Sequence, residues 1–258
     1  MRAGTRPSAL SDFLLEDAQP GQHLVQLYGG DRRSLVRNVC RYLRVGLKRG
    51  DGLLAVASLE HSSTFASELR KDPGYQRAVG EGRLLFLDAH ATLAQFMVGG
   101  RPSWERFDAK VGGALRDLAA RVGRAGLRVY GEMVGILWSA GRVDAALSLE
   151  ELWNRELERH PASLLCAYPI DLFDPSSVTD GVHGLVCAHT HLVPGSVDRE
   201  AGLERAMMEL LGGIDADPTP APVCLPNAEA MVLQLRSRFP DRAGEILRRA
   251  EAYGHAPA

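Results

Sequence analysis

The stretch GLRVYGEMVGILWSAGRVDAALSLEELWNRELERHPASLLCAYPIDLF, residues 126–173, decides the fold. Two short apolar strands, LRVYGE and SLLCAYP, bracket two helices. Each strand runs out into polar residues: Glu132 after the first, Tyr168 to Asp171 after the second. In an open α/β sheet, ligands bind beyond the carboxyl ends of the strands, so polar groups gathered there predict a pocket. They do not yet predict a reaction.

The same grammar extends outward. HLVQLY at residues 23–28 is followed by Gly29, Gly30 and Asp31, a residue suited to cap a helix on which Leu35, Val39, Leu43 and Leu47 recur every four positions. GLLAVAS at 52–58 is a continuous apolar run of the kind buried on both faces of a parallel sheet. RLLFLDAH at 83–90 repeats it. Five strands alternating with helices predict a doubly wound, largely parallel α/β sheet of five or more strands with right-handed crossovers.

Ser103 opens a helix with an apolar stripe through Phe107, Val111, Leu115, Leu118 and Val122. Leu149, Trp153 and Leu157 share one face of a helix near 143–159, and the spacing places Glu150 on the edge of that face. A glutamate there needs a partner or a ligand. Residues 1–20 lack periodicity and predict a mobile leader. Residues 177–192 are expected to be helical, stopping at Pro194, and 196–214 hold a further amphipathic helix. DADPTPAPVCLP at 215–226 is a Pro-rich linker, and 227–258 form a helical hairpin tail broken at Pro240.

A chain of 258 residues, 45% hydrophobic and 24% charged, can bury one large core. Its formal charge of -2 lacks the basic excess of a protein that neutralises phosphates, which argues against direct nucleic-acid binding. The apolar runs fall short of the ~20 residues that a membrane helix requires, and the N-terminus lacks a signal-peptide core. The scattered Cys40, Cys166, Cys187 and Cys224 include no CxxC pair, as expected of reduced thiols. Together these features predict a cytoplasmic protein without a membrane partner.

Tests for chemistry narrow the field. A Walker loop needs a Gly-Lys-Ser/Thr triplet, and none of the three lysines, Lys48, Lys71 and Lys110, lies in one. Neither GxSxG nor HExxH occurs. The expectation is therefore no catalytic residue and no cofactor other than an unknown small ligand. Asp31, Glu60, His61, Asp88, His90, Glu132 and Asp171 recur at strand ends, where each is a cap, a surface charge or a ligand contact. Trp138, Trp153, Tyr168 and Phe173 either line an apolar cavity or fill a core. Cys187, His189 and His191, with His183 nearby, invite a metal, but on a helix i and i+2 point in different directions.

As an ordered set, HLVQLY (23–28), GLKRGDGLLAVASLEH (46–61), RLLFLDAHATLAQFM (83–97), VYGEMVGILW (129–138), LEELWN (149–154), LLCAYPIDLF (164–173) and VCAHTHLVP (186–194) resemble the MEDS domain. That sensory domain is named for methanogen and methylotroph regulators and includes the dichloromethane-responsive repressor. The resemblance spans roughly residues 20–195. It implies a RecA/KaiC-like three-layer fold without the phosphate-binding lysine, and a sensor of simple hydrocarbon derivatives rather than an enzyme. It carries over His23, Tyr28, Glu60, His61, Asp88, Glu132, Trp138, Trp153, Asn154, Cys166 and Tyr168 as ligand-site candidates. Family members commonly join the domain to a DNA-binding or kinase module; here residues 196–254 are expected to signal to a protein partner or through self-association. The alternatives left open are a divergent nucleotide hydrolase and a ligand-free interaction scaffold.

Overall fold

A computed structural model of the chain describes residues 10–29, 32–174, 181–195, 197–211 and 227–254. Its strands are β1 (His23–Leu27), β2 (Gly52–Ala57), β3 (Leu84–Asp88), β4 (Met97–Val98), β5 (Arg101–Pro102), β6 (Leu127–Gly131), β7 (Ala162–Tyr168) and β8 (His191–Val193). Six of them form one parallel sheet in the order β3-β2-β6-β7-β1-β8. β4 and β5 make a separate antiparallel hairpin turned by Gly99 and Gly100, whose φ values of 56° and 86° a two-residue turn of this type demands.

The sheet carries a core on each face, because alternate residues of a strand point to opposite sides. Val25, Leu27, Val56, Val129, Leu164, Cys166 and Tyr168 pack beneath helices Gly113–Val122, Met133–Ser139, Val143–Arg159 and Val182–Ala188. Leu24, Leu53, Ala55, Tyr130, Leu165 and Ala167 face the other way, toward helices Leu10–Glu16, Arg32–Arg49 and Leu59–Leu69. Every residue of β1, β2, β6 and β7 is buried, which is why these strands read as unbroken apolar runs. The α/β class and the parallel sheet expected from the sequence are both present.

Strand order also sets where a crevice opens. β1 and β2 send the chain toward one edge, whereas β6 and β7 send it toward the other, so the connections leaving the neighbours β2 and β6 diverge. Their carboxyl ends therefore mark a topological switch point.

Two expectations need amendment. Among the described residues of the helix expected over 177–192, Val182–Ala188 are helical, and the chain then extends into β8. β8 satisfies the otherwise open edge of β1, pairing Leu24 with His191, while Thr190 donates its backbone N–H to the His23 carbonyl at 2.7 Å. Part of the expected leader is the helix Leu10–Glu16, with Leu14 and Leu15 in the core. Its last carbonyls accept hydrogen bonds from the buried Arg128, at 2.8 Å to Leu15 and 3.1 Å to Glu16, a helix end satisfied by a residue more than a hundred positions away. The tail helices Ala228–Arg238 and Pro240–Gly254 pack with Val197–Leu211 and add to the same core as the sheet. The expected linker 215–226 and the cap residue Asp31 lie outside the described residues.

Candidate functional site

At the switch point β6 ends at Gly131, and Glu132 opens helix Met133–Ser139. Its backbone N–H still donates to the Val56 carbonyl of β2 at 3.1 Å, which turns the carboxylate across to the loop after β2. There Oε1 accepts the Ser58 N–H at 2.9 Å. Oε2 accepts from Tyr130 at 3.3 Å and pairs with His61 Nδ1 at 2.8 Å. Burial by itself raises a carboxyl pKa, but the hydrogen bond and charge of His61 and the bonds from Ser58 outweigh it, so Glu132 lies below its ordinary value. Tyr130 is pushed well up by burial and then by Glu132, and stays a neutral donor.

Glu132, only 6% exposed, is fully occupied by its own neighbours. His61 is not, because Nδ1 serves Glu132 while Nε2 is buried without a hydrogen-bond partner. Two recesses flank the pair. One of about 400 Å³ is lined by Tyr28, His90, Glu132, Gly135, Ile136 and Pro169 among others. The second, about 480 Å³, is lined by His61 with Arg32, Arg33, Arg37, Arg44 and Glu60 among others. Both fall within the usual size of small-molecule sites. A larger depression of about 680 Å³ runs along the β3 edge, lined by residues such as Leu84, Lys110 and Asp117. It lies away from the switch point and from the buried polar groups.

The opposite face of the sheet holds a second polar group with no exposure to solvent. Glu150, on helix Val143–Arg159, is 0% exposed. Its Oε1 accepts from Tyr168 OH at 2.5 Å and lies 3.1 Å from His189 Nε2, while Oε2 lies 3.4 Å from His23 Nε2 and 3.6 Å from Cys166 Sγ. His23 Nε2 and Cys166 Sγ are 3.3 Å apart. Burial pushes Glu150 up, but the nearby imidazoles of His189 and His23 and the bond from Tyr168 prevail and hold it at about 2. His23 is lowered to about 4, first by burial and then by the like charge of His189. Burial and Glu150 together keep the Cys166 and Tyr168 protons on.

Residues 22–189 match the family model described as "MEthanogen/methylotroph, DcmR Sensory domain", or MEDS. The chain belongs to the MEDS family. It matches no curated protein. The matched residues take in both polar groups, and the MEDS domain is a sensory domain, so the chain carries a sensory module.

Within this MEDS domain the candidates divide in two. Tyr28, His61 and Glu132 meet at the strand ends, and the half-buried Tyr28 ring stands edge-on to His61 with centroids 6.4 Å apart. Burial raises the Tyr28 phenol to about 12. His23, Asn154, Cys166 and Tyr168 meet at Glu150 instead, Asn154 Oδ1 lying 2.7 Å from His23 Nδ1. Other candidates join neither group. Glu60 is exposed and pairs with Arg32 at 2.8 Å, and Asp88 caps helix Ala89–Phe96 by accepting the Ala91 N–H at 2.6 Å. Trp153 packs edge-on against Phe107 with centroids 5.1 Å apart, and Trp138 meets Tyr168 in the same manner at 5.4 Å. Of the metal candidates, Cys187 is exposed beside His183, and His191 opens β8 with Nδ1 3.0 Å from Thr190 Oγ1. His189 alone turns inward, because the chain leaves the helix there. Sequence reasoning missed its meeting with Glu150, as well as Ser58 and Tyr130 beside Glu132; the available clue was Glu150 on an apolar face.

Proposed function

We propose that this MEDS chain is a non-catalytic sensor whose switch-point mouth, between β2 and β6, binds a small hydrocarbon derivative bearing a polar group. One observation carries the reading: His61 is fixed by Glu132 through Nδ1 and holds a buried, unpartnered Nε2 at a site flanked by recesses of about 400 and 480 Å³. An imidazole locked through one nitrogen presents the other in a defined direction. Glu132 serves as positioning residue. Because it also opens helix Met133–Ser139, a ligand that draws His61 toward itself pulls on the start of that helix. The helix has little slack, since a Cβ on Gly135 would stand 2.6 Å from the Ala167 carbonyl of β7. The displacement then passes to the helices within 197–254, which report it to a protein partner or to a second copy.

The test is a thermal-shift screen of the full chain with one- to three-carbon alcohols, halides, amines and acids, followed by calorimetry. A compound that raises the melting temperature of the wild type must lose at least tenfold in affinity in His61→Ala and keep it in Glu60→Ala. Unchanged affinity in His61→Ala refutes this placement.

A second reading has one observation in its favour. Four arginines, Arg32, Arg33, Arg37 and Arg44, line the 480 Å³ recess against two glutamates, which suits an anion. A divergent nucleotide-binding protein then binds ATP or GTP with micromolar affinity and loses it in Arg32→Ala/Arg33→Ala. Flat calorimetric titrations with both nucleotides eliminate this reading.

A further inference from the structure

The group around Glu150 is poor in protons for the atoms it gathers. His189 Nδ1 lies 2.7 Å from the Leu185 carbonyl, which can only accept, so that nitrogen carries a proton, and in the neutral imidazole that binds a metal Nε2 presents its lone pair. The same holds for His23. Its Nδ1 lies 2.7 Å from Asn154 Oδ1, and the Asn154 amide is oriented by donating Nδ2–H to the Ala188 carbonyl at 3.0 Å. Two imidazole lone pairs therefore point at a carboxylate, and the donors facing them are the Tyr168 hydroxyl, taken by Glu150 Oε1, and the single Cys166 thiol. His189 Nε2 is left without a hydrogen-bond partner at 0% side-chain exposure.

We propose that His23 Nε2, Glu150, Cys166 Sγ and His189 Nε2 form a four-coordinate site for a divalent cation of the zinc type. The four ligand atoms lie within 4.8 Å of one another; His23 Nε2, Cys166 Sγ and Glu150 Oε2 are 3.3–3.6 Å apart, and His189 Nε2 lies 3.1 Å from Glu150 Oε1. A tetrahedron built with metal–nitrogen bonds of about 2.0–2.1 Å and one metal–sulfur bond of about 2.3 Å has edges of roughly 3.3–3.6 Å. The mix of imidazole, thiolate and carboxylate suits zinc over calcium or magnesium, which prefer oxygen ligands alone. Charge also balances. The ion replaces the Cys166 proton, which leaves to solvent, and the thiolate and the Glu150 carboxylate together offset its two positive charges. Each histidine is held through its second nitrogen by an acceptor, the outer support that metal-bound imidazoles ordinarily have. The site is closed and dry, so its role is to join β1, β7, helix Val143–Arg159 and the end of helix Val182–Ala188 rather than to activate water. It is separate from the His61 mouth, and neither proposal depends on the other.

The experiment uses the untagged full chain produced with added zinc. Elemental analysis is expected to find about one zinc per chain, and refolding with cobalt to give a thiolate-to-cobalt charge-transfer band with tetrahedral visible bands. The surface pair Cys187 and His183, 3.6 Å apart, is the competing source of a thiolate. The double variant Cys187→Ser/Cys224→Ser must therefore keep both metal and band, whereas Cys166→Ser/His189→Ala must lose at least tenfold in bound metal. Loss of the band in the first variant overturns the proposal even if the second fails to fold. A wild type that carries no zinc, and shows neither a cobalt band nor a rise in melting temperature with added zinc, overturns it as well.

Discussion

Glu132 and Glu150 are each held by a histidine and a tyrosine, yet they stand on opposite faces of one sheet and in different surroundings. Glu132 sits where two connections diverge, accepts a backbone N–H, and lines a recess open to solvent. Glu150 points inward from its helix with no exposure and meets two histidines and a thiol instead of one histidine. The first arrangement shares the carboxylate among Ser58, Tyr130 and a single imidazole. The second leaves several acceptors converging on a small volume. The same residue types thus hold a histidine beside a recess at one place and close a buried cluster at the other, and solvent access accounts for the difference.

The largest effect is expected on the buried side. Glu150→Ala removes the acceptor of the Tyr168 hydroxyl and leaves buried polar groups unpaired, at a cost of about 3–5 kcal/mol in urea unfolding. A loss under about 1 kcal/mol shows that the group contributes no more than a surface pair, and erases the contrast. Glu132→Gln keeps an acceptor for Ser58 but weakens the grip on His61, so about 1–2 kcal/mol is expected.

The pH dependence sharpens the same contrast. The Glu132 carboxyl is lowered in the folded state, so its contribution is complete above the unfolded value of 4.5 and fades as the pH falls through the folded value. The stability gap between wild type and Glu132→Gln should therefore be widest near neutrality and close as the medium is acidified below 4.5, followed by urea midpoints at each pH. A gap that widens in acid contradicts the sign. His61→Ala leaves the buried Glu132 Oε2 short of a donor, so about 1–2 kcal/mol is expected, with loss of ligand response as its main phenotype. Greater destabilisation by His61→Ala than by Glu150→Ala would reverse the contrast between the two sites.

Much of this was legible in the sequence, for physical reasons. Strands buried on both faces leave unbroken apolar runs, and helices leave a four-residue rhythm, so β1, β2, β3, β6 and β7 and most of the helices could be read directly. Glu132 and His61 were visible because strand ends are where an α/β sheet gathers ligand groups. β8 was not visible. Its three residues follow a helical run, and only the edge of β1 makes them a strand. The clasp between Arg128 and helix Leu10–Glu16, and the convergence of His23 and His189 on Glu150, depend on contacts more than thirty residues apart, which no local pattern records. Glu150 gave half of that convergence away, since a charge on an apolar helix face demands a counterpart, though not which one.

β8 bears on how this protein can be divided. The family match closes at residue 189, whereas the strand that completes the sheet occupies His191–Val193. Beyond it, Asn227 donates a side-chain N–H to the Leu192 carbonyl at 2.6 Å, and Glu229 accepts the Gly195 N–H at 3.3 Å. The unit that folds is thus larger than the unit that sequence comparison recognises. A fragment cut at the family boundary would bare the flank of β1 and invite another chain to pair there. Grafting experiments with this sensory module should carry the segment through residue 254, because the helices after residue 227 also hold the edge strand of the sheet.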